Sequence, residues 1–383
     1  MSIDKLSHPV STASAARRHF LRLSGLALAG GAGALPLIGC GKGDTPPAAP
    51  AKAVGNAAAV AETSAAALSQ ITIAIIGDGR TGVFASLRAG DGGSKLENDI
   101  AAKVVWQPGF TASLPVMEGI KAGGVDFSFA TATAIVNAVA AGVPIVPLAA
   151  YPLPATEVDV LVAKDSPIRS AADLKGKKIA HQNGTTGTYS LIKYLESAGL
   201  RLSDVQAVSL SGADAYTAFT QGSVDAWIHW QPASALALAK LGDKARTLPE
   251  VKTYDYAFYV ARADFADKNP QAAAKLVRLI REAQQYAVSH PDETVASWAK
   301  LGGFEAGSVE QKVYRQLIVD ARLSDSGAVA LKPIDSAAAD STQDLADNFQ
   351  SLGVLPNKVD VRSFLLDARF DAIKKLVAAE LGA

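Results

Sequence analysis

From residue 71 the chain alternates short β-rich runs with amphipathic helical stretches, and it runs through that alternation twice. Few architectures bury such a pattern: strands that are apolar throughout need helices on both faces, which points to parallel sheets in the α/β class. The first round reads as strands at Ile71–Ile76, Val104–Trp106, Val125–Ala130 and Ile145–Ala149, with helices at Leu114–Lys121 and Thr133–Ala141. Gly123-Gly124 and Gly142 stop those helices. The second round has strands at Val158–Ala163, Lys177–Ala180, Val205–Leu210 and Asp225–Trp230. Its helices are Gly187–Ala198, Ala213–Gln221 and Ala233–Leu241, the first two closed by Gly199 and Gly222.

A long strand over Tyr254–Ala261 follows, and beyond Pro270 the pattern is helical, with segments centred on Val295–Leu301, Val309–Ile318, Thr342–Leu352 and Ser363–Leu381. Two rounds of similar plan predict two lobes. If Val158–Val162 and Tyr254–Val260 both cross between them, the second lobe is an insertion over residues 156–254. Residues 70–155 and 255–383 then form the first lobe, with the C-terminal helices packed back onto it. Ligands of open α/β sheets sit at the C-terminal ends of the strands, so the cleft between the lobes is the expected site.

The segment ahead of this body is an address. Arg17-Arg18-His19-Phe20-Leu21-Arg22 precedes the apolar run Leu23–Ile38, which is shorter than the ~20 residues a membrane span needs. Residues 1–39 read as an export signal. The paired arginines resemble a twin-arginine signal, with Ala16 where serine or threonine is usual, and Leu37-Ile38-Gly39-Cys40 resembles a lipoprotein lipobox. Cys40 is the single cysteine of the 383 residues, which excludes an internal disulfide and a cysteine-rich zinc site and makes it the expected point of lipid attachment. The Pro/Ala-rich residues 40–69 read as a tether.

Lysine plus arginine (37) balance aspartate plus glutamate (37), so no basic surplus favours nucleic acid. Removing residues 1–39 leaves 33 basic against 36 acidic residues. An anion would therefore be held by local donors rather than by the field of the whole molecule.

Gly77-Asp78-Gly79-Arg80-Thr81-Gly82 is a literal G-x-G-x-x-G directly after a strand. A dinucleotide site also wants an acid at the end of the second strand, where this chain has Trp106-Gln107-Pro108. Two readings stand: a glycine turn that brings backbone close to a small ligand, or the phosphate loop of an exported nicotinamide-dependent oxidoreductase. No Walker loop, H-E-x-x-H or G-x-S-x-G occurs, and His8, His19, His181, His229 and His290 have no metal-ligand spacing. No metal, cofactor or catalytic residue is expected. His181, after a strand, reads as a structural histidine.

One ordered series carries a resemblance. Asp173-Leu174-Lys175-Gly176-Lys177-Lys178-Ile179-Ala180, Gly184-Thr185-Thr186-Gly187, Leu202-Ser203-Asp204-Val205, Gln221-Gly222-Ser223-Val224-Asp225-Ala226-Trp227 and Trp230-Gln231-Pro232 follow one another. Together with Gly123-Gly124-Val125-Asp126-Phe127, Ala141-Gly142-Val143-Pro144-Ile145 and Phe364–Phe370, this resembles the substrate-binding proteins of ABC importers in the aliphatic sulfonate, nitrate and taurine group. The likeness runs from about residue 71 to the end. It implies a two-lobe, type II periplasmic binding protein fold with an interdomain cleft, a small organic anion as ligand, an ABC permease as partner, and a monomer that performs no chemistry. A binding protein for an aromatic heterocycle precursor is the other reading that this fold allows. Gln231 departs from the aspartate usual before that proline, and Thr131-Ala132-Thr133 replaces a loop that commonly carries glycine and proline.

A sulfonate stays ionised and only accepts hydrogen bonds, so it needs a ring of donors. The loop Gly184, Thr185, Thr186, Gly187, Thr188 joins a strand to a helix N-terminus and offers backbone N–H groups beside hydroxyls. Arg80, Thr81, Thr131 and Thr133 are the candidates from the first lobe. Trp230, at a strand end, is placed to cover an alkyl tail, whereas Trp227 reads as core.

Overall fold

The computed structural model describes residues 68–89, 92–323 and 331–382. The export signal expected over residues 1–39, Cys40 and all but the end of the expected tether lie outside the described residues. No described helix is long and apolar enough to cross a membrane.

The chain opens with β1 (Gln70–Ile76), α1 (Val83–Arg88), α2 (Gly92–Ile100), β2 (Lys103–Phe110), α3 (Ser113–Lys121), β3 (Phe127–Thr131), α4 (Ala132–Ala140) and β4 (Ile145–Pro152). It continues through β5 (Val158–Ala163), β6 (Lys178–His181), α5 (Thr186–Glu196), β7 (Gln206–Ser209), α6 (Gly212–Thr220), β8 (Ala226–Trp230), α7 (Ala233–Leu241) and β9 (Ala245–Thr247). Next come β10 (Tyr256–Arg262), α8 (Ala263–Lys268), α9 (Pro270–Ser289), α10 (Pro291–Gly302), α11 (Val309–Val319), β11 (Lys332–Pro333), α12 (Ser336–Ser351), α13 (Val361–Leu365) and α14 (Asp371–Leu381).

Among the described residues two sheets form, ordered β11-β4-β10-β3-β1-β2 and β7-β6-β8-β5-β9. The parallel sheets expected from the alternation each include antiparallel strands. β1 is parallel to β2 and β3, and β6 to β7 and β8, but β10 runs antiparallel between β3 and β4, and β5 antiparallel between β8 and β9. The cause is the path of the chain. β5 and β10 each enter a sheet directly from the other one, so they arrive against the direction that helical crossovers impose. Their connecting segments bond to each other, Leu153 N to Asp255 O at 3.0 Å and Thr253 N to Ala155 O at 2.8 Å.

The glycine-then-aspartate motif of each round has one structural role. Gly123 (φ 78°) and Gly222 (φ 70°) take the left-handed turn after α3 and α6, a conformation that glycine adopts without a side-chain clash. The aspartate that follows accepts a backbone N–H from the neighbouring strand: Thr72 N to Asp126 Oδ2 and Lys178 N to Asp225 Oδ2, both at 2.8 Å.

The first sheet is buried on both faces. On one side α1, α2, α9 and α14 cover a core built on Ile71, Ile73, Phe127, Tyr259 and Leu276. On the other, α3, α4, α12 and α13 cover Ala74, Val116, Ile135, Phe258 and Phe349. The α10–α11 pair does not pack on the first sheet's helices alone. Its cluster of Val295, Trp298, Tyr314, Leu317, Ile318 and Leu323 meets Ala85 of α1 and also Ala235 and Leu236 of α7. Phe127 is fully buried and stacks on Tyr259 with centroids 6.1 Å apart. Phe127→Ala is expected to cost about 3–5 kcal/mol in urea or thermal unfolding, with both sheets retained by circular dichroism.

Candidate functional site

The C-terminal ends of β1, β2, β3, β6 and β8 converge on a cavity of about 450 Å³, a size suited to a small organic molecule. The first sheet contributes the Gly77–Gly82 turn, Phe110 to Leu114, Phe129, Thr131 and Thr133, and the second contributes Glu157, Gly184 to Thr186 and His229 to Ala233. Leu236, Tyr314 and Leu323 close it from α7, α11 and the segment after α11.

Seven of the ten ligand candidates line this cavity: Thr81, Thr131, Thr133, Gly184, Thr185, Thr186 and Trp230. Arg80, Gly187 and Thr188 are not part of its wall. Arg80 is drawn outward. Its amide bonds to Asp78 Oδ1 at 3.0 Å, its guanidinium pairs with Asp78 at 3.5 Å and reaches the Gly302 carbonyl at 3.4 Å, and its side chain is 60% exposed. Gly187 lies one residue into α5, where a Cβ would come within 3.5 Å of Thr185 Oγ1. Thr188 is fully buried, donating to the Gln182 carbonyl at 2.7 Å and lying 3.0 Å from His181 Nδ1. With its one proton spent, the Thr188 hydroxyl accepts from His181, which fixes the proton on Nδ1. Burial holds the His181 pKa below its ordinary value, and the histidine is a structural post under the loop.

The loop hydroxyls do not face the cavity as free donors. Thr185 Oγ1 donates to the Gln182 carbonyl at 2.6 Å and Thr186 Oγ1 to Asp255 Oδ2 at 2.5 Å. What the loop offers is therefore the amides of the first turn of α5, which have no acceptor within the helix. In the other sheet, Thr131 Oγ1 and Thr133 Oγ1 share one hydrogen bond at 2.7 Å, so one of their two protons remains available. Thr81 is hydrogen-bonded to Tyr314.

Asp255 is the residue that the sequence did not reveal. It lies where the second crossing segment enters β10 and is 2% exposed. Its Oδ1 accepts from Ala132 N at 3.0 Å and Tyr256 N at 2.8 Å, and the Thr133 amide adds a further bond. The N-terminus of α4, which a ligand anion would otherwise take, is thus filled by the chain's own carboxylate. Burial raises the Asp255 pKa to about 6, against the pull of those hydrogen bonds. A lone acid at the head of the apolar run Tyr256-Ala257-Phe258-Tyr259-Val260 was the available signal.

His229 also lines the cavity, stacked on Trp227 (5.2 Å) and tilted against Trp230 (4.0 Å). Any Cβ at Gly212 would come within 2.9 Å of its Nε2, so glycine there lets α6 approach the imidazole. Burial lowers its pKa to about 4, which keeps the ring neutral. Among the described residues, no lysine or arginine side chain lines the cavity. The site therefore offers backbone amides and hydroxyls beside an apolar wall of Phe110, Leu114, Phe129 and Trp230.

A family described as NMT1/THI5 like matches residues 105–294. A protein of Escherichia coli (strain K12) named as an aliphatic sulfonates-binding protein is 31% identical over 262 residues, 68% of this chain and 78% of that one. The crystal structure of the periplasmic aliphatic sulphonate binding protein from Escherichia coli superposes with a TM-score of 0.65 at 28% identity, over 77% of this chain and 96% of that one. The alkanesulfonate-binding protein of Xanthomonas axonopodis pv. citri bound to MOPS gives 0.66 at 25% identity, over 78% and 98%.

Two buried groups near the cavity titrate with opposite effects on stability. The unfolded chain protonates His229 near its ordinary 6.5 while the folded one resists to about 4, so this group removes stability as pH falls between those values. Asp255 takes its proton near 6 when folded and near 3.8 when unfolded, so it adds stability as pH falls through about 6 and withdraws it as pH rises. Relative to wild type, His229→Gln is expected to gain roughly 2 kcal/mol between pH 7 and pH 5 in thermal unfolding, and Asp255→Asn to lose roughly 1 kcal/mol.

Proposed function

This chain belongs to the aliphatic sulfonate-binding family of ABC-importer substrate-binding proteins, and on that premise we propose that it captures an aliphatic sulfonate or a related small organic anion and delivers it to a membrane permease. The observation that carries the ligand class is the cavity itself. Its donors are the α5 amides and the Thr131–Thr133 pair, its tail wall is Trp230 with Phe110, Leu114 and Phe129, and among the described residues no lysine or arginine accompanies them. The site needs no general acid, because a sulfonate arrives ionised and leaves unchanged, so the protein performs no chemistry.

The two sheets with their helices act as lobes, residues 70–155 with 255–383 and residues 156–254, joined by the paired crossing segments. Ligand bound between them favours the closed arrangement, which the permease reads. Residues 1–39 act as a twin-arginine export signal, Cys40 carries the lipid, and residues 40–69 tether a monomeric receptor on the periplasmic side near its permease.

A thermal-shift screen over alkanesulfonates, nitrate, carboxylates, pyrimidines and nicotinamide cofactors tests the ligand class. Sulfonates are expected to stabilise the protein by about 2.7 kcal/mol at a hundredfold excess over Kd. Trp230→Ala is expected to weaken longer alkyl chains more than shorter ones. Stabilisation by a nicotinamide cofactor and by no small anion would sink the reading. For the anchor, Cys40→Ser is expected to move the protein from the membrane to the soluble fraction of the host cell, and persistent membrane attachment would count against lipidation.

A further inference from the structure

Thr186 sits in the cavity wall, yet its hydroxyl proton is turned away from the cavity toward a carboxylate 2.5 Å distant. In that state its oxygen presents lone pairs, the wrong polarity for an oxyanion that only accepts. The carboxylate that accepts the proton is itself a buried negative charge, and among the described residues the cavity wall carries the acids Asp78 and Glu157 and no lysine or arginine. An incoming anion meets a reversed donor and a like charge at one point.

We propose that Asp255 is a positioning residue that takes up one proton when the anion binds, and thereby reverses the Thr186 hydrogen bond so that the hydroxyl donates to the ligand. The proton comes from solvent and attaches to Oδ2. Oδ2–H then donates to Thr186 Oγ1, the Thr186 proton turns to a ligand oxygen, and no other bond is made or broken. Oδ1 keeps its backbone donors, Ala132 N and Tyr256 N, so the crossing segment stays in place. The inference rests on the proposed anion ligand.

Burial places the Asp255 titration at about 6, within reach of neutral conditions. The groups packed around it do not supply the same response. The span of α4, Ala132–Ala140, has no titratable side chain. From α5, the Tyr189 hydroxyl is pushed up to about 12 by burial first and then by the Asp255 charge, with Asp344 of α12 adding to it. Lys252 and Tyr254, on the crossing segment, are exposed. His229 on β8 stays neutral down to about 4. Among the described residues the cavity wall itself carries two acids, Asp78 in the turn after β1 and Glu157 on the crossing-segment side, and Glu157 needs its own control.

The experiment is titration calorimetry with butanesulfonate, which does not titrate in this range, from pH 5 to pH 8 in cacodylate and in imidazole. These buffers contain no sulfonate and differ in ionisation enthalpy. Wild-type affinity is expected to level off below about pH 6 and to fall by up to about tenfold per pH unit above it, with uptake approaching one proton per ligand. In Asp255→Asn the amide donates to Thr186 permanently, so binding at pH 8 is expected to match wild type at pH 5, without pH dependence. Thr186→Val is expected to lose the slope and to bind more weakly at pH 5, while Glu157→Gln keeps the slope. Tight binding with no slope and no proton uptake, or a slope that survives in Asp255→Asn or Thr186→Val, overturns the switch and leaves the receptor reading standing. Absence of binding by any sulfonate at any pH overturns the receptor reading and the switch with it.

Discussion

One buried carboxylate organises the junction between the two sheets. Asp255 stands where the two crossing segments bond to each other, and it accepts from the first turn of α4, from its own strand and from the first residue of α5. Those donors come from both sides of the cavity, and two of the residues that supply them, Thr133 and Thr186, are cavity wall. An ionised carboxylate is tolerated inside a protein only where such donors replace water. The cavity therefore has a fixed corner on the side of the crossing segments. Occupation of the α4 terminus by Asp255 also removes one of the two helix ends that the strand order aims at the ligand, and leaves the α5 turn as the anion seat.

A second charged tie holds the sheets together elsewhere on the cavity rim. Arg322, just after α11, places Nη2 at 2.8 and 3.0 Å from the two oxygens of Asp159 on β5, and its Nε donates to the Thr156 carbonyl at 3.1 Å. Gln231 and Ser234 add donors to the same carboxylate at 2.6 and 3.0 Å. This gives a physical account of Gln231, where the resemblance in the sequence implies an aspartate. With Asp159 already in place, an acid at 231 would bring two carboxylates together, whereas the amide donates to Asp159 and accepts from Ala235 N. Around this tie α11 lies against α7, and Leu236, Tyr314 and Leu323 cover the cavity.

Local pattern revealed the elements and hid their neighbours. Strand and helix alternation placed β1, β4, β5, β8 and the loop before α5 because burial on both faces leaves a readable apolar run. It did not show that β10 lies between β3 and β4, because strand order in a sheet is decided by where the chain returns, not by the residues within the strand. The short α1 and α2 were also missed, in a stretch where glycines at 82, 92 and 93 interrupt the periodicity. Within the site, residue type indicated which side chains reach the cavity more reliably than what they do there. Thr185, Thr186 and Thr188 are all at the loop, but the fate of each proton depends on the Gln182 carbonyl and on a carboxylate 69 positions away. Arg80 fails for a related reason: a nearby aspartate and a distant carbonyl draw it to the surface.

If the cavity seats an anion as proposed, the absence of a lysine or arginine among its described lining residues has consequences for selectivity. A lysine or arginine attracts any anion through a field that acts over many ångströms, whereas amides and hydroxyls act only in contact and in a fixed direction. Their strength rises when water is excluded, which here requires α7 and α11 to be together over the cavity. Affinity in such a site is tied to closure more closely than it would be with a charged side chain, because an open cleft offers little that water does not. The ligand tail matters for the same reason. Trp230 and Phe110 reward an apolar group that fills the space beside the donors, so a small inorganic anion that meets the amides alone gains only part of the available energy. On the proposed reading, such a site distinguishes an organic anion from the common inorganic ones by what the anion carries behind its charge.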